Sequence, residues 1–236
     1  MNQNPSIVVI ASTMRSGSTL LKALLAEADD VLNLPETNFQ NQKIVDQILK
    51  NHEQSLPPIK VLKKPAWYQE SKRYPTLPKV DNLRIIVLVR DVFETVASLR
   101  KMTFGRFAKF ASPWVTSWLA KRYWVNVTTS LIKLSQQDTN PVLRIRYEDL
   151  VANPIEETQR LYGFIGSSRT QGTNVYSSPN HYSWKWGSDD GSPNIKSLEV
   201  QPPRQKKQDE NRLLELVQSD PAIKSLRRQL GYEVSR

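Results

Sequence analysis

Residues 7–27 read IVVIASTMRSGSTLLKALLAE. Ile7 to Ala11 form a continuous apolar, largely β-branched run, as a strand buried on both faces requires. A Ser/Gly-rich turn follows, and from Ser18 the residues Leu20, Leu21, Leu24, Leu25 and Ala28 recur at helical spacing, so residues 18–28 are expected to form a helix packed on that strand. A turn between buried strand and helix presents backbone N–H groups and the positive end of the helix dipole, which makes it an anion site whatever its side chains. The hydroxyls of Ser16, Ser18 and Thr19 add donors, and Gly17 lets the backbone approach a ligand closely.

The loop does not fit the end of ATP. A triphosphate loop follows G-x-x-x-x-G-K-[ST], with the lysine reaching the outer phosphates and the hydroxyl holding magnesium. Here Ser12 stands at the first glycine and Ser18 at the lysine, and the only cation is Arg15, two residues before Gly17.

Working outward, residues 59–65 (IKVLKKP) read as a short strand stopped by Pro65 and residues 83–91 (LRIIVLVRD) as a second buried strand. Asp91 is placed to cap a helix carrying Val92, Val96 and Leu99 on one face. Trp114–Leu134 reads as one aromatic-rich helix with Trp114, Trp118, Tyr123 and Trp124 in the core, and residues 141–150 as a further strand. Asn153, Pro154, Glu156 and Glu157 then start a helix to about Phe164. Residues 167–207, rich in Ser, Asn, Gly, Pro and Gln, are expected to be a long loop or lid, and residues 209–229 regain a helical pattern. This alternation implies an α/β fold, a P-loop-like central parallel sheet with helices on both faces, in one domain spanning 1–236. Ligands of such sheets gather at the carboxyl ends of strands, where Arg15, Lys64, Arg90 and Tyr147 fall.

The 236 residues carry 33 Lys plus Arg against 23 Asp plus Glu, a formal charge of +10. That balance suits a polyanionic partner, whether nucleic acid, an anionic membrane or a multiply phosphorylated cofactor, and equally a basic solvated surface. The basic residues are dispersed apart from RQKKQ at 204–208, without a zinc-finger, RRM or KH signature, so no nucleic-acid partner is expected. The absence of cysteine excludes disulfides and thiolate metal sites. No stretch approaches 18 apolar residues, and the opening residues lack the basic start of a secretory signal, so a cytoplasmic protein without a membrane span is expected.

The string MRSGSTLL resembles the 5′-phosphosulfate loop of sulfotransferases that use 3′-phosphoadenosine 5′-phosphosulfate (PAPS). In that family an Arg at the end of a core strand and a Ser eight residues on hold the 3′-phosphate, and VLVRDVFETVAS places Arg90 and Ser98 at that spacing. Tyrosylprotein sulfotransferases carry a G-E-E-T segment whose second Glu is the base; LPET at 34–37 is similar and puts Glu36 there. Their lysine in a K-D-P segment is matched to Lys64 in KKPAW. The basic loop that closes the family's cofactor site is matched to Lys185 in SWKWGSDDG, and the resemblance runs from residue 7 to 165.

The resemblance implies sulfuryl transfer from PAPS, with PAP as product and no metal, to an acceptor hydroxyl or amine. Arg15 and Lys64 would neutralise charge at the reacting end, Glu36 would take the acceptor's proton, and Arg15, Ser16, Gly17, Ser18, Thr19, Arg90, Ser98, Tyr147 and Lys185 would bind the donor. Trp184 and Trp186 are candidates for an acceptor pocket or for stacking on adenine, while His52 and His181 are expected to face solvent. Two other readings stay open: a P-loop kinase or NTPase, with Asp91 on magnesium, and a PAP-binding relative without turnover. Acceptor class and oligomeric state are not legible in the sequence.

Overall fold

The computed structural model describes residues 6–51, 56–105, 107, 113–185, 189, 194–202 and 211–232. Five parallel strands, β1 (Ser6–Ser12), β2 (Val31–Asn33), β3 (Ile59–Lys63), β4 (Leu83–Val89) and β5 (Val142–Arg146), form one sheet in the order β2-β3-β1-β4-β5. Side chains alternate across a strand, so β1 feeds two cores. Val8 and Ile10 pack with Leu21 and Leu24 of α1 (Ser18–Leu25) and Leu161 and Ile165 of α7 (Pro154–Ile165). Ile7, Val9 and Ala11 pack on the opposite side with α3 (Val92–Phe104), α5 (Val125–Leu134) and α9 (Pro221–Gln229). Burial on both faces is why residues 7–11 of β1 and 85–89 of β4 read as unbroken apolar runs.

Several local expectations are corrected. The strand predicted over 141–150 ends at Arg146, and Tyr147–Ala152 form a short helix, α6. Glu148 and Asp149 in its first turn favour the helix dipole, and Arg146 Nε donates to Asp149 Oδ2 at 2.7 Å. The single helix expected over 114–134 is α4 (Pro113–Trp118), a π-helical turn (Leu119–Trp124) and α5. Tyr123 and Trp124 are fully buried and Trp118 is half-buried, but Trp114 is 71% exposed rather than core. Asp91 stands at the start of α3 without capping it, because its carboxylate receives Arg227 Nε and Nη2, both at 2.9 Å. Of the helical pattern expected over 209–229, the described residues form α8 (Asn211–Ser219) and α9, where Pro221 starts a new helix capped by Asp220 Oδ1 on the Ala222 and Ile223 N–H groups. The three-residue β2 and α2 (Gln42–Lys50), capped by Asn41 accepting from the Lys43 N–H, were not anticipated, nor were the 3-10 turns Tyr68–Glu70 and Ile195–Ser197.

Residues 167–202, where described, are mostly irregular but well tethered. Ser167 Oγ donates to Asp30 Oδ1 at 2.6 Å, Ser177 N–H to Glu27 Oε1 at 2.7 Å and Tyr182 Oη to Asn33 Oδ1 at 2.8 Å. These contacts strap the segment along the end of α1 and over β2. Among the described residues, no helix is long and apolar enough to cross a membrane.

Candidate functional site

From β1 the chain continues on one side of the sheet, to β2 and β3, and from β4 on the other, to β5. The gap between the carboxyl ends of β1 and β4 is therefore the topological switch point, where an open α/β sheet forms its crevice. The register pairs Ser12 with Leu88, so the loop after β1 emerges beside Arg90. Arg90 Nη1 donates to the Arg15 carbonyl at 2.8 Å, and Arg15 Nε donates to Ser98 Oγ at 3.1 Å. The two stretches singled out in the sequence, 75 and 83 residues apart along the chain for these pairs, are interlocked.

The loop is tightly turned. Arg15 and Gly17 both take left-handed backbone, at φ 63° and 92°, a conformation that orients successive N–H groups toward one concavity. Ser16 Oγ donates to the Thr13 carbonyl at 2.9 Å and closes the turn from within. Gly17 has a second reason to be glycine: a Cβ there would lie 2.4 Å from Tyr147 Cδ2. Tyr147, the first residue of α6, thus lies flat against the loop, with the Arg90 guanidinium 4.1 Å from its ring centroid.

Two buried tyrosines fasten the loop to the segment leaving β3. The Ser12 N–H donates to Tyr74 Oη at 2.8 Å, and that hydroxyl donates to the Lys64 carbonyl at 2.7 Å. The Met14 N–H donates to Tyr123 Oη at 2.7 Å, and Tyr123 donates to the Ala66 carbonyl at 2.6 Å. Burial raises both phenols above their ordinary range, which keeps them as neutral donor and acceptor.

On the other flank lies a charged cluster. Lys63 Nζ is 2.6 Å from Asp189 Oδ1, 2.8 Å from Thr19 Oγ1 and 3.1 Å from Glu36 Oε2. Lys22, one turn beyond Thr19, reaches Asp189 Oδ2 at 2.5 Å and also the Leu34 carbonyl. Burial lowers the Lys22 ammonium to about 8 against the attraction of Asp189. Burial alone would raise the Asp189 carboxyl, but Lys63 and Lys22 outweigh it and hold it at about 2. Glu36 is the partly exposed member, its side chain 25% accessible, and the Thr37 N–H donates to the Lys63 carbonyl at 3.1 Å, fixing LPET beside β3.

The structure thus brings together Arg15, Ser16, Gly17, Arg90, Ser98 and Tyr147 at the loop, with Ser18 the first residue of α1 and Thr19 and Glu36 on its charged flank. It separates Lys64, whose ammonium turns to the other side and pairs with Glu70 at 2.5 Å, beside a shallow cavity lined by Trp67, Tyr68 and Gln69. Lys185 is exposed and contributes its carbonyl, which accepts from the Asp189 N–H at 2.9 Å. Trp184 is buried edge-on against Tyr176, Trp186 and His52 lie outside the described residues, and the exposed His181 ring meets the Asn33 carbonyl.

Sequence reasoning missed Lys63, Lys22 and Asp189. Lys63 had a signal, since the lysine of a K-D-P segment stands two residues before the proline, which here is 63 and not 64. Lys22 had one in its three-residue spacing from Thr19 on a helix. Asp189, 170 residues from Thr19, had none.

Residues 77–171 match the model of a sulfotransferase family. No curated protein sequence matches the chain. Among solved structures, the sulfotransferase domain from the curacin biosynthetic pathway superposes with a TM-score of 0.60 at 21% identity, covering 98% of this chain and 99% of that one. The sulfotransferase domain of the Synechococcus PCC 7002 olefin synthase gives 0.62 at 18% identity, covering 99% and 98%. A mouse sulfotransferase complexed with PAP gives 0.51 at 13% identity, covering 98% and 90%. The likeness to PAPS-dependent sulfotransferases drawn from the motifs is thus matched by the fold over nearly the whole chain and by a sulfotransferase family signature across its middle.

Proposed function

We propose that this protein transfers the sulfuryl group of PAPS to an acceptor hydroxyl or amine. The observation that carries the reading is the interlock of Arg15 with Arg90 and Ser98 at the switch point, because one adenosine nucleotide with a phosphate at each end needs two anion anchors side by side. Further donors suit such a ligand. Arg90 Nε and Thr13 Oγ1 are buried without a hydrogen-bond partner among the described residues, and an anion seated between loop and strand end would satisfy them. The N-terminus of α1 would hold the 5′-phosphate through the backbone N–H groups of Ser16, Ser18 and Thr19, while Arg90 and Ser98 would hold the 3′-phosphate.

In this reading the donor supplies the sulfuryl group and a phosphate leaving group, and the chain supplies positioning and charge. Arg15 would neutralise charge building at the 5′ end. Glu36, partly open to solvent, would accept the acceptor's proton, and Lys63 beside it would offset negative charge near the reacting group. The geometry favours Lys63 over Lys64 for this role, since Lys64 is turned to Glu70. A magnesium-dependent kinase is disfavoured, because the Asp91 carboxylate that would hold the metal is held by Arg227.

The test is calorimetry and thermal shift. PAP without metal should bind and raise the melting temperature, whereas ATP with magnesium should not. Label should then pass from radiolabelled PAPS to acceptor candidates, and Glu36→Ala should retain PAP binding while losing transfer. Binding without transfer to any acceptor would leave a PAP-binding protein, and no binding of PAP would overturn the reading.

A further inference from the structure

We infer that the π-helical turn Leu119–Trp124 is a positioning device for the donor site, with Tyr123 setting the 5′-phosphate loop and Trp124 setting the strand end that carries Arg90. The inference rests on the donor-site reading above and adds residues that neither the motifs nor the loop itself contains.

A wide turn is less favourable than the α-helix around it, and such turns persist in proteins mostly where function or tertiary contact holds them. Here the Val125 N–H reaches back to the Ala120 carbonyl, so the turn contains one residue more than an α-turn. The extra residue narrows the angle between neighbours, and Tyr123 and Trp124 both face the sheet, each fully buried. Their polar atoms go to separate places. Tyr123 Oη takes the Met14 N–H and gives its proton to the Ala66 carbonyl, so it spans the loop and the β3 exit. Trp124 Nε1 donates to the Arg90 carbonyl at 3.1 Å, just beyond the end of β4.

Neither side chain would touch the reacting atoms. Tyr123 acts through the main chain at Met14, immediately before Arg15, and Trp124 acts through the main chain of Arg90 itself. The helix thus grips the two anchors by two adjacent residues, and the spacing between anchors is set by one rigid turn. Tyr68 packs its ring edge-on to Tyr123 at 5.1 Å between centroids and backs it from the far side.

The experiment measures binding of PAP, adenosine 5′-phosphate and adenosine 3′-phosphate to the full chain by calorimetry, for wild type, Tyr123→Phe and Trp124→Phe. Tyr123→Phe keeps the ring and deletes its hydrogen bonds, whereas Trp124→Phe removes the Nε1 donor together with part of the buried indole, so both are read by the split between the two monophosphates rather than by a uniform loss. Tyr123→Phe should weaken PAP and adenosine 5′-phosphate about tenfold, the size of a typical buried hydrogen bond, and leave adenosine 3′-phosphate within about twofold. Trp124→Phe should show the reverse split. Equal losses on both monophosphates, or none, would overturn the inference while leaving the donor-site reading intact. Failure of wild type to bind PAP would remove both. Should Tyr123→Phe not fold, the split is read on wild type by hydrogen exchange: adenosine 5′-phosphate should slow exchange at the Met14 amide more than adenosine 3′-phosphate does, and equal slowing would overturn the assignment.

Discussion

Replacing Gly17 by alanine puts two separate costs on the phosphate loop, and the structure allows each to be sized. Gly17 has φ 92° and ψ 18°, and forcing a residue with a Cβ into left-handed backbone costs roughly 1–2 kcal/mol. The new Cβ would lie 2.4 Å and 2.5 Å from Tyr147 Cδ2 and Cε2. Carbon atoms prefer about 3.5–4.0 Å, so the ring must move by about 1 Å. That motion takes it off the Arg90 guanidinium and loses part of a cation–π contact of about 0.5–2 kcal/mol. Together the costs come to about 2–4 kcal/mol, or roughly 5–15 °C in melting temperature for a chain of this size. Scanning calorimetry on Gly17→Ala, Tyr147→Ala and the double variant separates the two costs. With the ring removed, only the backbone cost should remain, so Gly17→Ala should be milder in the Tyr147→Ala background by about 1–2 kcal/mol. A melting temperature within about 2 °C of wild type, or strictly additive losses, would refute the packing argument.

Lys63→Met should lower turnover about 10²- to 10³-fold, as loss of an oriented charge donor does, while Lys64→Met should change it less than about tenfold; steady-state kinetics with a working acceptor decides, and the opposite order would return the role to Lys64. Asp189→Ala leaves the Lys22 and Lys63 ammoniums without their shared carboxylate and should cost about 3–5 kcal/mol in denaturant unfolding at neutral pH. Because the folded-state pKa of Asp189 is depressed from 3.8 to about 2, the stability it contributes is present above about pH 4 and lost as pH falls through about 2. Wild type should therefore lose about 2 kcal/mol more than Asp189→Ala over that window, and identical acid profiles would show that the ion cluster does not form.

What the sequence determined by itself is what depends on short-range pattern. The runs 7–11 and 85–89 are apolar throughout because strands buried on both faces admit no polar alternation, and that marked the parallel sheet. Gly17 between serines, with Arg15 ahead of it, marked an anion loop because turn chemistry is local, while Arg90 with Ser98 followed only from the resemblance to PAPS-dependent sulfotransferases, whose Arg and Ser stand at the same spacing. The direction of a side chain at a strand end was not legible: Lys63 and Lys64 differ by one position, a strand turns alternate residues to opposite sides, and only the placement of Thr19 and Glu70 shows which lysine meets the loop. Likewise Asp91 was a reasonable cap until α9 brought Arg227 to it, and a bidentate charged partner outweighs a single capping bond. Asp189, Tyr74 and Tyr123 join the site across 170, 62 and 109 residues of chain. Contacts of that range leave no periodicity in a sequence, since they are chosen by how the packed sheet and helices close on one another, and only the tertiary structure decides them.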